Sequence, residues 1–391
     1  MAIILNKHKI NSPLKRKVFV GMSGGVDSSV TAALLKERGF DVTGVHIKMW
    51  SDESIPCQFK EDRRDALRVA MKLDIPFETW DLTEQYRNEV VNYMIAEYAA
   101  GRTPNPDVMC NRKIKFGVFL QRALERGADL IATGHYVSLN LSSHVRQEDL
   151  DSRFRGNDKK ENGDNSRKNY TGQFSLHQAT DTNKDQSYFL WTLNQEQLKH
   201  CLFPLGEYIK PQVRAFAQDF GLSTAEKPDS QGICFIGEID MREFLKRHIP
   251  EKPGDIITTS GEKIGKHEGL SYYTIGQREG LGIGGGIPFY VASKEFSTNT
   301  MVVAEGPFHE QLFSSSLAAH DVHWISGEQP AFPLTCAARI RYRQPLQMAT
   351  VHHISEGHIS AQFTESQRAI TPGQSIVFYH DNEMLGGACI S

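Results

Sequence analysis

The chain has little cysteine, no long apolar run and no excess of charge of either sign. Its six cysteines, Cys57, Cys110, Cys201, Cys234, Cys336 and Cys389, contain no C-x-x-C pair, which excludes a zinc ribbon and a disulfide-stapled miniature fold. A reducing, cytoplasmic setting is expected. No stretch approaches the ~18 apolar residues that a membrane span requires, so no membrane association is expected. Lys and Arg number 44 against 47 Asp and Glu, a balance of −3. That excludes a protein that coats nucleic acid indiscriminately, because such binders displace phosphate counterions with a net basic surface.

What is present is an ordinary globular composition, 39% hydrophobic and 23% charged over 391 residues, enough for two or three domains. A basic tail (1–16) carries Lys7, Lys9, Lys15 and Arg16 without an acid. Residues 17–236 then alternate strand and helix signals: strands at Lys17–Gly21, Val42–Ile47, Ile75–Trp80 and Asp129–Thr133, helices at Asp27–Arg38, Lys60–Leu73, 83–99, 112–126 and around Val213–Phe220. This order predicts an α/β domain with a doubly wound parallel sheet. Within it, 13 of the 27 residues from His144 to Tyr170 are charged, so this stretch reads as a disordered insertion. Residues 237–308 are Gly-rich with short strands, including one predicted at Leu270–Ile275, and suggest a small β-rich central domain. Residues 309–391 read as an antiparallel β-barrel. In that barrel Arg339, Arg341 and Arg343 alternate, which predicts a phosphate-contacting stripe on one strand face.

The strongest chemical signal is Gly21-Met-Ser-Gly-Gly-Val-Asp-Ser-Ser29, between the first strand and the first helix. Small residues there let the backbone turn and aim N–H groups inward, and the helix N-terminus adds partial positive charge, so a phosphate is the expected guest. The loop lacks the Lys of G-x-x-x-x-G-K-[ST]; Ser23 to Ser28 has instead the pattern of ATP pyrophosphatases, which cleave ATP between the α- and β-phosphates. Asp27 is placed to cap the helix or to help hold a magnesium ion on the pyrophosphate. By contrast, Gly280-Leu-Gly-Ile-Gly-Gly285 matches G-x-G-x-x-G but leads into Pro288 instead of a helix, and a dinucleotide site is not expected there.

Two cysteines stand apart. Cys110 follows Thr103-Pro-Asn-Pro-Asp-Val-Met with Lys113 and Lys115 beyond it, and Cys234 lies in Asp229-Ser-Gln-Gly-Ile-Cys-Phe-Ile-Gly237. Both flanks are loop formers, and a cysteine on a loop near cations can be a reactive thiolate. Cys57, Cys201, Cys336 and Cys389 read as small buried hydrophobes.

With these motifs in hand the chain resembles the tRNA-specific 2-thiouridylases over nearly its whole length. The resemblance also rests on Gly101-Arg-Thr-Pro-Asn-Pro-Asp107, Cys110-Asn111, Ala132-Thr-Gly-His-Tyr136, Lys184-Asp-Gln-Ser-Tyr-Phe-Leu190, Gly232-Ile-Cys-Phe-Ile-Gly-Glu238, Gly276-Gln-Arg278 and Thr371-Pro-Gly-Gln-Ser375. It implies a tRNA sulfurtransferase using ATP and Mg2+ to thiolate the wobble uridine. ATP would be bound by Gly21, Met22, Ser23, Gly24, Gly25, Val26, Asp27 and Ser28, with Ile47 and Gly134 beside the adenosine. Asn105, Pro106 and Asp107 would hold the target base, and Cys110 and Cys234 would be the catalytic thiols and form a transient disulfide. His135, Lys184, Asp185, Gln186, Arg341, Tyr342 and Gln374 would touch the tRNA. Expected partners are the tRNA anticodon loop and a sulfur-relay donor protein, with the chain itself a monomer. The charged insertion and Gln231, where Thr is more usual, depart from the family pattern. An amide-forming ligase on the same fold, needing no cysteine, and a non-catalytic sulfur carrier or RNA-binding protein are the competing readings.

Overall fold

The computed structural model describes residues 15–51, 59–141, 173–229, 240–284 and 286–391. The basic tail up to residue 14, Cys57, the 144–170 insertion, Gln231 and Cys234 lie outside them.

Strands β1 (Lys17–Gly21), β2 (Asp41–Lys48), β3 (Phe77–Asp81), β4 (Leu130–Ala132) and β7 (Cys201–Leu202) form a five-stranded sheet in the order β3-β2-β1-β4-β7, with every pairing parallel. Val18, Phe19 and Val20 are all buried, as a strand covered on both faces requires. The two-residue period divides them. Phe19 and Ile131 enter the core formed with the helices between 83 and 125, whereas Val18, Val20, Leu130 and Ala132 enter the core formed with α1 (Val26–Glu37), α2 (Phe59–Lys72) and the helix Lys210–Asp219. Because β2 and β4 flank β1 on opposite sides, the order reverses at β1 and opens a crevice at the strand C-termini, where α/β sheets bind ligands.

The helices differ from expectation in one respect that matters. The predicted helix at 112–126 starts earlier, as Pro106–Met109, continues as a π-helical run over Cys110–Val118 and ends as Phe119–Glu125. Asn105 accepts from the backbone N–H groups of Asp107 and Val108 and Pro106 occupies the first turn, so the Asn-Pro pair that reads as a loop is a helix start. A second π-helical segment, Arg87–Val91, interrupts the helical run from Thr83 to Ala99, and Lys113 pairs with Glu89 across the two at 3.1 Å.

The central domain carries β8 (Gly254–Thr258), β9 (Lys263–His267), β10 (Phe289–Glu295) and β11 (Thr300–Glu305) in the order β10-β11-β8-β9. The predicted strand at Leu270–Ile275 is instead a 3-10 turn at Leu270–Tyr272. Tyr272 and Tyr273 are both buried, which strand alternation forbids on a one-sided sheet, and Tyr272 donates to the Ile249 carbonyl at 2.6 Å.

The C-terminal strands β12 (Phe313–Trp324), β13 (Leu334–Arg339), β14 (Gln347–Ser355), β15 (His358–Arg368), β16 (Ser375–His380) and β17 (Glu383–Ile390) close into a six-stranded antiparallel barrel through β12–β17. The hairpin β5 (Ser138–Leu141) and β6 (Phe174–His177), which bounds the insertion, joins this sheet at β17. The arginine stripe does not form. β13 ends at Arg339 and Arg343 has φ +64, so residues 340–343 turn and the three side chains diverge. Arg339 is buried, 3.4 Å from Asp185, and covers the Tyr379 ring at 4.9 Å.

That ion pair belongs to a clasp between the α/β domain and the barrel. Asp185 also accepts from the backbone N–H groups of Ala179 and Ser187, the Ser187 hydroxyl lies 3.0 Å from that of Tyr379, and Tyr188 and Trp191 bond Ser375. Asp185→Asn leaves the Arg339 cation buried without its counter-charge and is expected to lower unfolding free energy in urea by about 3 kcal/mol. Asp185→Leu combined with Arg339→Met is expected to lose less than either single change; an equal or greater loss contradicts a buried charge pair at this position.

Candidate active site

The glycine loop leaves β1 and enters α1. Met22 is fixed at both backbone groups: its N–H donates to the Val45 carbonyl at 2.8 Å, and its carbonyl lies 2.8 Å from Nδ1 of the buried His46. Burial pushes the His46 pKa down, so the ring is neutral and donates. Ser28 Oγ accepts from the Ser23 N–H at 3.1 Å and folds the loop on itself. Gly24 has φ +85, and a Cβ there would meet the Asp62 carbonyl at 2.3 Å, so only glycine fits. Gly25 caps α1 with no side chain bonded to the first-turn N–H groups. Those groups, with the helix dipole, face the crevice as donors for an anion.

Two other expected nucleotide residues reach the same place. A Cβ on Gly134, just past β4, would lie 2.8 Å from the Ser28 nitrogen, so the backbone after β4 rests directly on the start of α1. In β2 the Val45 carbonyl points toward β1 and accepts from Met22, whereas Lys48 accepts from Leu82 on the β3 side. Ile47, two residues beyond Val45, therefore turns its backbone groups to the β1 side beyond the end of β1. Its side chain is buried, so its being Ile is a matter of packing.

Sequence reading missed the cation that organises the loop. Lys210 is buried, with Nζ 2.7 Å from Asp27 Oδ1 and 2.8 Å from Asp229 Oδ1. Tyr136 donates to the same Asp27 oxygen at 2.8 Å. Asp229 also takes Lys184 and Arg214. Burial raises its carboxyl pKa, but the bonds from Lys184 and Lys210 outweigh this and hold it down at about 2. Lys227 bonds Asp62 and Asp65 at the start of α2, 2.8 Å each. Residues 227–229 are thus pinned to the start of α1 through Lys210 and to α2 through Lys227. Asp27 itself makes no side-chain cap. Among the described residues no three His, Cys, Asp or Glu side chains gather as a metal site.

The loop before Cys110 is held by all three domains. Thr103 N–H donates to the Pro372 carbonyl at 2.8 Å, Gln374 donates to the carbonyls of Thr103 and Pro104, and the Thr103 hydroxyl is 3.2 Å from that of Thr274 in the central domain. Cys110 is fully buried at the head of the π-helical run and not on a loop, a correction to the sequence reading. A π-helix bonds the backbone N–H of residue i+5 back to the carbonyl of residue i. Lys115 Nζ reaches His135 Nε2 at 3.4 Å, and His135 Nδ1 is 2.7 Å from the Thr133 hydroxyl. Burial, and then the Lys115 charge, drive the His135 pKa well down, so the ring accepts from Lys115. Gly134 and His135 therefore set the backbone after β4 between the start of α1 and Lys115. The thiols of Cys336 and Cys389 are pushed up by burial to about 12 and about 11, as inert core cysteines should be.

Of the expected tRNA contacts, two are placed inside the protein. His135 is only 7% exposed between Phe116 and Phe203, and Asp185 is consumed by the clasp with Arg339. Lys184 is on Asp229, and Gln186 exchanges bonds with the Tyr136 backbone at 2.9 and 3.0 Å. Gln374 bonds the carbonyls of Thr103 and Pro104, Arg341 donates to the Ala369 carbonyl, and half-buried Tyr342 packs its ring 4.5 Å from that of Phe189. Gly134→Val is expected to displace the start of α1 and cut adenine-nucleotide affinity at least tenfold in calorimetric titration while far-ultraviolet circular dichroism stays unchanged. Wild-type affinity in that variant contradicts the placement of the nucleotide.

Comparison with known proteins agrees with this arrangement. Residues 16–238 match the family model described as tRNA methyl transferase HUP domain, residues 242–305 the tRNA methyl transferase PRC-barrel domain, and residues 314–390 the aminomethyltransferase beta-barrel domain. The chain is 46% identical to tRNA-specific 2-thiouridylase MnmA 2 of Geobacillus kaustophilus over 97% of its length and 95% of that protein. It is equally similar, at 46%, to tRNA-specific 2-thiouridylase MnmA of Halalkalibacterium halodurans, over 97% of this chain and 95% of that one. The protein of that name from Lactococcus lactis subsp. cremoris is also 46% identical, over 97% and 96%. An uncapped helix N-terminus, the three-domain order and this likeness over nearly the whole chain together establish that it belongs to the tRNA-specific 2-thiouridylase family.

Proposed function

We propose that the protein replaces the 2-oxygen of a tRNA wobble uridine by sulfur, using ATP to activate that oxygen. The observation that carries this reading is the glycine loop and uncapped start of α1 at the reversal point of the sheet, with Gly134 packed on it, in a chain that is similar to 2-thiouridylases over nearly its whole length. A methyl transfer, which the family model's description names, has no use for a phosphate-binding loop.

A carbonyl oxygen is a poor leaving group. Attack of that oxygen on the α-phosphorus of ATP turns it into AMP, with pyrophosphate departing against the first-turn N–H groups of α1 and the Lys210 ammonium. Mg2+ would accompany the ATP phosphates. Asp27 supplies one carboxylate nearby, already shared by Lys210 and Tyr136, so such an ion would draw most of its ligands from the nucleotide. Asn105, Pro106 and Asp107 would present the uracil, the Pro-flanked helix start giving them a rigid frame.

For the second half, Cys234 would carry a persulfide loaded by a sulfur-relay donor. Its terminal sulfur attacks the activated carbon and AMP leaves. The Cys110 thiolate then attacks the inner sulfur, the sulfur–sulfur bond to the base breaks, and 2-thiouridine departs as a Cys110–Cys234 disulfide forms. A dithiol reductant must reopen that disulfide before the next turnover. Since Cys110 is fully buried, the reaction also requires the RNA to displace part of its cover. The target base must leave its stack, a cost of a few kcal/mol that is smallest in a single-stranded loop.

The experiment is mass analysis of tRNA incubated with protein, ATP, Mg2+ and a sulfur donor. Wild type is expected to exchange one oxygen for one sulfur at the wobble base. Cys110→Ser is expected to release pyrophosphate in a tRNA-dependent manner yet form no thiouridine; full thiolation by it overturns the role of the thiol. Lys210→Met is expected to lower kcat/KM for ATP about 10²-fold, as loss of a charge stabiliser does, and an unchanged value removes Lys210 from the pyrophosphate site.

A further inference from the structure

Four arginines are the only Lys or Arg residues of the segment 309–391, against seven acids. Arg339 is spent in the buried clasp, which leaves Arg341, Arg343 and Arg368. Two of these converge although 27 residues separate them in sequence. A Cβ on Gly276 of the central domain would lie 3.7 Å from Arg368 Nη1 and 4.0 Å from Arg341 Nη2, so the two guanidinium groups flank one spot at the seam between central domain and barrel.

Among the described residues no carboxylate lies within ion-pair distance of Arg341 or Arg368. They are held by backbone and ring instead: Arg341 donates to the Ala369 carbonyl, Arg368 donates to the Pro307 carbonyl at 3.2 Å, and the Arg368 guanidinium covers the Tyr290 ring at 4.9 Å. Burial, and then the Arg368 charge, lower the hold of Arg341 on its proton. A like-charged pair kept close at that cost is stabilised by an external anion, and two planar forks fit the oxygens of a phosphate. Next to Pro307, Phe308 is 85% exposed. An aromatic face open to water beside a cationic spot is what a single-stranded nucleic acid uses, phosphate on the cations and base on the ring.

We propose that Arg341 and Arg368 jointly clamp one backbone phosphate of the bound tRNA, with Phe308 stacking an unpaired base beside it. This rests on the tRNA reading above. It assigns Arg368 and Phe308, which carry no role in the sequence reading, to RNA binding. It also explains how a barrel of net charge −3 engages a polyanion: through one neutralised phosphate and a stacked base, not through a basic field.

The test is the dissociation constant of cognate tRNA over a series of salt concentrations, for the full chain. Arg368→Gln is expected to bind about tenfold more weakly, with the salt slope reduced by about one. The double change Arg341→Gln, Arg368→Gln is expected to lose less than the product of the two single losses, because both side chains serve one phosphate. Phe308→Ala is expected to weaken binding several-fold with an unchanged slope, which separates an RNA site from a simple anion site. Wild-type affinity and slope in Arg368→Gln overturn the clamp, as do strictly multiplicative losses. If Arg368→Gln fails to fold, Arg368→Lys carries the test: it is expected to keep the slope but bind several-fold more weakly, and wild-type binding by it overturns the clamp. Failure of the wild type to bind tRNA at all would instead contradict the proposed function.

Discussion

One buried ammonium sets the geometry of this site. Lys210 lies between Asp27, in the first turn of α1, and Asp229, so the glycine loop and the stretch that ends at residue 229 share one cation. A cation so enclosed is tolerable only while its carboxylates stay ionised. Asp229 meets that condition because Lys184 and Lys210 hold its carboxyl near 2, far below a free aspartate. Its folded-state pKa is lowered, so the stability it contributes is complete above the ordinary aspartate range and is lost as pH falls through the window from about 4 to about 2. Lys184 and Arg214 on the same carboxylate extend the unit, and Lys227 ties it to α2.

The second constraint is the junction at Thr103. One apolar cluster runs through all three domains, and the loop that precedes Cys110 takes bonds from the barrel through Gln374 and Pro372 and from the central domain through Thr274. The clasp of Asp185 on Arg339 fixes the barrel that supplies the first of these. Domain placement is thus part of the chemistry: it holds the start of the π-helical run, and with it the thiol, against the nucleotide domain.

What was legible in the sequence is what local chemistry encodes. The strand, glycine loop and helix at Gly21–Ser29 declare themselves because turn, close backbone approach and helix start must occur in that order within nine residues, and the parallel sheet follows from alternation of strand and helix. Misreadings arose where one residue type serves two local states or where partners are remote. Asn105-Pro106 suits a loop or a helix start, and only the bonds from Asp107 and Val108 choose. Alternating arginines suggest a stripe, but the positive φ of Arg343 ends the strand geometry. Asp185 is buried against Arg339 of the barrel and His135 within the α/β domain between Phe116 and Phe203, and the sequence of their motifs does not show how either polar group is packed. Lys210 was invisible because its partner Asp27 is 183 residues away.

The central claim is that ATP makes the uracil oxygen a leaving group and that sulfur then takes its place. It is tested most directly by following that oxygen. With tRNA carrying a heavy-oxygen label at the 2-position of the wobble uridine, the account predicts that the label appears in AMP, one atom for each thiouridine formed. Label recovered in water or inorganic pyrophosphate, with AMP unlabelled, would contradict it.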